Sequence, residues 1–292
     1  MLKPFLQVDV FGDGPFTGNP VAVIAEGQDL SDEQMRAISR WTNLSECAFL
    51  LPPTTAEADY RVRIFALDTE LSFAGHPTLG AARAWLDLGN EPRSAGVVVQ
   101  ECGVGLVPVH IGEDTLSFGA PGLVRSGPVS RAARKMLTDA LGVTEDQVVD
   151  AAWVDNGPGW VAVLLDSAAT VLAVTPDVTK IPEPEYRFLG VVGVQPEGSA
   201  TALELRAFFP DDTGALREDP VTGSLNASVA QWLEYSGRMS PPYVSSQGTV
   251  LQRRGRVHIE GEGEALWVGG RTHVAISGSI DIPVENVEAP EQ

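Results

Sequence analysis

Two stretches of this chain begin alike, and their spacing limits what the chain can fold into. Phe73-Ala74-Gly75-His76-Pro77-Thr78-Leu79-Gly80 and Arg217-Glu218-Asp219-Pro220-Val221-Thr222-Gly223-Ser224 each set a polar side chain directly before a proline. A glycine follows three residues after that proline, and an apolar, small-residue run then ends in Trp85-Leu86 or Trp232-Leu233. Proline at the first helical position sacrifices no hydrogen bond, and the residue before it becomes the cap. The pattern predicts two buried helices with His76 and Asp219 as caps.

Pairing His76 with Asp219 sets an offset of 143 residues, close to half of the 292. The same offset pairs Arg63 with Arg206, Phe65 with Phe208, Asp68 with Asp211, Pro77 with Pro220 and Gly80 with Gly223. Chance at average residue usage gives about one identity over such a span. The expectation is an α+β protein of two pseudosymmetric halves, each contributing one central helix.

Composition removes several function classes. A net charge of −19 opposes nucleic-acid binding, and Arg253-Arg254-Gly255-Arg256 is read as a solvated turn. Neither a membrane-length apolar run nor a signal pattern is present, so no membrane partner and a cytoplasmic location are expected. Cys47 and Cys102 show no CxxC spacing, and histidines 76, 110, 258 and 273 show no metal spacing. Nucleotide-binding glycine motifs are missing as well. The chemistry is expected to need no cofactor and no metal.

Taken in order, residues 5–11 and 21–24 read as strands, and Leu30 to Met35 reads as a helix start, with Ser31 as cap and Gln34 closing a capping box. Strands follow at 47–51 and 60–65, then the apolar helix from His76 to Leu88, stopped by Gly89. Strands at 95–101 and 104–111 lead to the Pro- and Gly-rich stretch 119–128, taken as a linker. The boundary falls there, giving an N-terminal half 1–122, a C-terminal half 123–283 and an acidic tail 284–292 expected to be disordered. In the second half, Ser130–Leu141 reads as a capped helix ended by Gly142. Strands are expected around 161–164 and 203–209, and at 256–261, 264–269 and 272–282.

Two helix N-termini meeting across a pseudo-twofold cleft would offer unpaired N–H groups and positive dipole ends to one anion, most naturally a carboxylate. Plain capping stands beside that reading for Asp219, a good cap, and much less for His76, a poor one. Glu46, flanked by Leu44, Cys47, Ala48, Phe49 and Leu50, reads as a partly buried carboxyl of raised pKa that can take and return a proton. A lone glutamate at a strand mouth is also commonly a solvated rim residue. Spacing does not decide between the two.

The segments Gly18-Asn19-Pro20-Val21-Ala22-Val23, Asn43-Leu44-Ser45-Glu46, the GHPT run at 75–78 and Glu218-Asp219-Pro220-Val221-Thr222-Gly223-Ser224 follow one another in a recognisable order and spacing. With Trp267-Val268-Gly269-Gly270 near the end, the chain resembles the phenazine-biosynthesis PhzF-like family over residues 5–283. The resemblance implies the diaminopimelate-epimerase-like fold, with a β-barrel-like sheet around a central helix in each half, and a homodimer. It implies a cofactor-free isomerase acting on a small carboxylate-bearing substrate, as the family's best-known member isomerises trans-2,3-dihydro-3-hydroxyanthranilate. By the same resemblance Glu46 shuttles the proton, and His76, Asp219 and Ser224 orient the substrate and assist. Amides near Gly75, His76, Gly223 and Ser224 hold the carboxylate, and Asn19, Thr78 and Thr222 join the substrate-binding set. Cys47 departs from the family's usual threonine, which is expected to alter the hydrogen bonding beside Glu46.

Relatives of the fold that racemise amino acids use two cysteines, one at the head of each central helix. Here those positions would be His76 and Asp219, so a two-thiol racemase is not expected. The rival reading is a non-catalytic member that binds a metabolite or protein through the same cleft. Retention of Glu46, His76, Asp219 and Ser224 together favours the enzyme.

Overall fold

The computed structural model describes residues 1–211, 213–263 and 265–283, so the expected disordered tail from Glu285 lies outside the described residues. The first half of the chain runs β1 (Leu2–Val10), β2 (Asn19–Ile24), α1 (Asp32–Thr42), β3 (Cys47–Leu51), β4 (Tyr60–Ala66), β5 (Thr69–Leu71), α2 (Gly75–Asp87), β6 (Val97–Cys102), β7 (Gly105–Ile111) and β8 (Thr115–Gly119). It continues with β9 (Arg125–Pro128), α3 (Arg131–Leu141), β10 (Val148–Asp155), β11 (Val161–Leu165), α4 (Ala168–Ala173), β12 (Leu189–Val194), β13 (Leu203–Pro210) and β14 (Leu216–Asp219). The last elements are α5 (Gly223–Tyr235), β15 (Tyr243–Gln247), β16 (Gly255–Glu262) and β17 (Ala265–Asp281).

The ring β1-β2-β3-β4-β6-β7-β8-β17 closes on itself, because β17 pairs with β8 through Trp267–Arg271 and with β1 along its remaining length. Closure leaves no free edge in this barrel. Helix α2 packs inside it with Leu79, Ala81, Ala82 and Ala84 wholly buried. Small residues on that helix let the strands approach it closely, and Val21 lies against Gly80. The second sheet, β9-β10-β11-β12-β13-β15-β16-β17, curls around α5 and shares β17 with the first, but among the described residues β9 and β17 do not pair. The fold is α+β with two pseudosymmetric sheet-and-helix units.

Local signals read from the sequence act as expected. Ser31 and Gln34 form the capping box of α1, Leu30 and Met35 share one apolar cluster, and Gly142 closes α3 in the left-handed conformation. Part of the expected linker is strand instead: Arg125–Pro128 is β9, an edge strand that tolerates Pro128. The two last expected strands are one, β17, bent where the register slips opposite Gln7 and Val8.

The repeat itself requires a correction. At an offset of 143, Arg63 and Arg206 are equivalent, as are Phe65 and Phe208, each arginine stacking over its phenylalanine. Phe65 then faces Glu70 across β4 and β5, whereas Phe208 faces Glu218 across β13 and β14, so the offset has moved to 148. The turn after β13 is longer, and an ungapped comparison cannot follow it. Beyond it the equivalent of Gly75 is Gly223, and that of His76 is Ser224, not Asp219.

Neither His76 nor Asp219 is a cap. Helix α2 starts at Gly75 after Ala74, and α5 starts at Gly223 after Thr222, with no side-chain cap bond at either. Pro77 is the third residue of α2, still within the turn whose N–H groups have no intrahelical partner, so it costs no helical bond. Pro220 lies outside α5 and lets Asp219 end β14.

Candidate active site

The heads of α2 and α5 abut. A methyl group on Gly75 would stand 2.6 Å from Cζ of Phe118 and 3.3 Å from Cα of Gly223, and one on Gly223 would stand 3.5 Å from the His76 nitrogen. Only residues without a side chain permit this approach. The first helical bonds are Thr78 N–H to Ala74 O and Asn226 N–H to Thr222 O, so the earlier amides of both helices have no intrahelical acceptor. Gly75→Ala is expected to press a methyl into the buried Phe118 ring at a cost of about 1–3 kcal/mol, read as a lower urea midpoint. Unchanged stability would mean that the contact is not tight.

Glu46 enters this volume from the turn before β3. Alternation puts Ala48 and Leu50 in the cluster around α2, and Cys47 and Phe49 in the cluster under α1, so Glu46 shares the inner face and Cys47 does not. The expectation that Cys47 alters the bonding beside Glu46 is therefore not met. Its thiol contacts the Thr42 hydroxyl at 3.1 Å, and burial pushes its pKa up to about 11.

His76 Nε2 and Glu46 Oε2 face each other at 3.4 Å, both buried, and neither atom has a well-formed hydrogen bond. Desolvation brings the His76 pKa down to about 3 and pushes that of Glu46 well above the ordinary carboxyl range, with the Asp219 charge adding to the rise. The imidazole is therefore neutral and the contact is not a fixed ion pair, while desolvation brings Glu46 toward the range where it exchanges a proton. Protein atoms surround Glu46, yet its side chain keeps 18% of its surface open to water.

Asp219 lies at the end of β14, and burial raises its pKa as well. Hydrogen bonds oppose that rise: Thr222 Oγ1 donates to Oδ2 at 2.5 Å and Asn19 Nδ2 to Oδ1 at 2.9 Å. Asn19 also donates to Val221 O, which ties the start of β2 to the approach of α5. Glu46, His76, Asp219, Asn19, Gly75 and Gly223 are thus brought together. Ser224 is anchored separately by Trp160, whose Nε1 donates to its hydroxyl at 3.0 Å, while Asn156 Nδ2 donates to its carbonyl. Thr78 turns into the barrel and accepts from Gln100, and Thr222 is occupied by Asp219 and Gln247.

The second half has no counterpart of Glu46. Cys47 faces Phe65 and Leu189 faces Phe208, so Phe188 stands where Glu46 does, packed edge-on against Trp160. Glu46 and His76 come from one half, and Asp219, an aromatic wall and a hydroxyl come from the other. Phe188, Trp160 and Gln247 are not among the residues expected from the sequence, and only Phe188, opposite Glu46 in the true register of the repeat, has a signal there.

Neither helix head carries a cysteine, and Cys102 is half-buried on β6 with its pKa also raised by burial. Among the described residues no three His, Cys, Asp or Glu side chains are grouped to hold a metal ion, and no helix is long and apolar enough to cross a membrane. A cavity of about 660 Å³ lies elsewhere, between α3 and the Lys180–Tyr186 segment, and holds none of these residues.

The double sheet-and-helix architecture is the epimerase-like fold. The family profile described as phenazine biosynthesis-like protein matches residues 8–279, and the chain belongs to that family. Antisense-enhancing sequence 1 of Schizosaccharomyces pombe is 35% identical over 94% of this chain and 97% of its own. The trans-2,3-dihydro-3-hydroxyanthranilate isomerase of Pseudomonas aeruginosa is 32% identical over 94% and 95%. A PhzF-family phenazine biosynthesis protein of Bacillus anthracis superposes with a TM-score of 0.79 at 19% identity, covering 97% of this chain and all of that one. Other relatives across the length are also named isomerases, and in class this protein is an isomerase.

Proposed function

We propose that the protein moves a proton between two carbons of a small carboxylate-bearing substrate, with Glu46 as the carrier and without a cofactor. The observation that carries the reading is the buried, unpartnered contact between Glu46 Oε2 and His76 Nε2 beside two helix heads. Unpartnered buried polar atoms cost stability and are retained where a ligand completes them. A carboxyl whose pKa is lifted toward neutrality by desolvation can both accept and return a proton at working pH.

Glu46 takes a proton from one carbon and gives it to another of the same unsaturated system, so no atom is gained or lost. His76, neutral, orients a substrate polar group by hydrogen bonding, and Asp219 and Ser224 assist. Amides at Gly75, His76, Gly223 and Ser224 receive the substrate carboxylate, helped by the helix dipoles. Asn19 and Thr222 act through Asp219, and Thr78 acts by fixing α2 in its barrel. The substrate of the Pseudomonas aeruginosa relative is the first to try, and a homodimer in the cytoplasm is the expected state.

Turnover in D₂O should place deuterium in the product, because the proton exchanges with solvent while it rests on the carboxyl. Mass spectrometry reads the label. Ligand binding by the wild type without turnover of any related acid would favour the binding-protein reading instead.

A further inference from the structure

We infer that Gln247 is a positioning residue that keeps Asp219 an acceptor-only carboxylate by dictating which way the Thr222 hydroxyl points. Gln247 ends β15 and is wholly buried. Its Nε2 donates to Asp219 O at 3.1 Å and to Thr222 Oγ1 at 2.9 Å, and its Oε1 accepts from Thr222 N at 3.0 Å and from Asn226 Nδ2 at 2.9 Å. The amide has no capacity left.

The orientation is forced. The Thr222 N–H can only donate and the Asp219 carbonyl can only accept, so a reversed amide would set donor against donor and acceptor against acceptor. Because the Thr222 hydroxyl accepts from Gln247, its own hydrogen is free to go to Asp219 Oδ2. Behind Gln247, Asn226 also donates to Thr222 O and accepts from Ser245. Ser245, Asn226, Gln247 and Thr222 thus donate in turn along one chain that ends on Asp219 Oδ2, and Asn19 supplies the bond to its other oxygen. Two donors on a buried carboxylate favour its charged form.

The first half supplies an internal comparison. Gln100 donates to Thr78 Oγ1 at 3.0 Å and accepts from Tyr60 at 3.0 Å, a strand-to-helix bond whose counterpart in the second half is that of Ser245 to Asn226. Leu71, Ala74 and Cys102 stand there in the places of Asp219, Thr222 and Gln247, so the first half has neither the carboxylate nor the hydroxyl and amide that serve it. Around Asp219 the other titratable groups are His76 from α2, Glu46 from the turn before β3, and Glu218 on its own strand, which is tied to Arg206. Among these four, Asp219 is the one the relay reaches. A fixed negative charge beside Glu46 and the neutral His76 divides the labour between two carboxyls, one anchoring and one carrying the proton.

That division rests on the function proposed above, but the ionisation of Asp219 can be tested without any substrate. Carboxyl ¹³C titration by NMR, with the Asp219 signal assigned from Asp219→Asn, reads its midpoint directly. Thr222→Val, which replaces the hydroxyl with a methyl, and Gln247→Glu, which replaces a donor with an acceptor, should each raise that midpoint by about one pH unit or more. Thr222→Ser should restore the wild-type value, and Gln100→Glu should leave it unmoved. An unchanged midpoint in Thr222→Val would overturn the inference, as would an Asp219 already protonated at neutral pH in the wild type. Thr222→Val keeps the test available if Gln247→Glu does not fold. The expected shifts in a protein that turns over no acid would sink the isomerase reading and leave this one standing.

Discussion

Glu46→Gln is expected to lower turnover about 10²- to 10⁴-fold while a carboxylate ligand still binds. The amide keeps the shape of the side chain and removes the proton carrier. His76 is a poor replacement, since a pKa brought down to about 3 by burial makes its imidazole a weak base, and Cys47 lies on the other face of β3. Asp219 is the only other carboxyl in the described site, and its two oxygens are committed to Asn19 and Thr222. Asp219→Asn should therefore cost less than Glu46→Gln, because it weakens orientation and leaves the carrier in place. Steady-state kinetics on a turned-over acid, set beside calorimetric binding of a product analogue, separates the two effects. A Glu46→Gln variant of full activity would take Glu46 out of the reaction.

Much of this site is legible before any coordinates. The GHPT and EDPVTGS runs announce the two helix heads, whereas the apolar surroundings of Glu46 leave a solvated rim residue open and only the family resemblance singles that carboxyl out. Buried helices are readable because Leu79, Ala81, Ala82 and Ala84 are apolar on several faces at once. The true register of the repeat is not readable, because the longer turn after β13 shifts everything beyond it while a few chance identities preserve the wrong offset. That one slip makes Asp219 look like the mate of His76. Gln247 is hidden for another reason: a polar residue ending Tyr243-Val244-Ser245-Ser246-Gln247 looks like an outward-facing position on a strand. Only the backbone groups of Asp219 and Thr222, brought in by a chain reversal, make that position polar and buried together.

The corrected register also predicts a stability contrast between two equivalent ion pairs. Arg206 makes two bonds to Glu218, at 2.9 and 2.7 Å, and donates to the carbonyls of Val171 and Val174, with its side chain 5% exposed and that of Glu218 10%. Glu218→Ala strands that guanidinium without a counter-charge and is expected to cost about 3–5 kcal/mol. In the first half Arg63 holds Glu70 by the same two-bond clamp, but Glu70 is 38% exposed and Arg63 also reaches Asp32. Water and a second carboxylate replace what Glu70→Ala removes, so about 1 kcal/mol or less is expected there. Urea denaturation of the two variants reads the difference. Adding Arg206→Met to Glu218→Ala should recover much of the loss, since the penalty is that of an unpaired buried charge and an apolar side chain of similar length removes it. Equal losses for Glu218→Ala and Glu70→Ala would show that burial does not set the strength of these clamps. The strand that carries Asp219 would then be held by something other than the pair beside it.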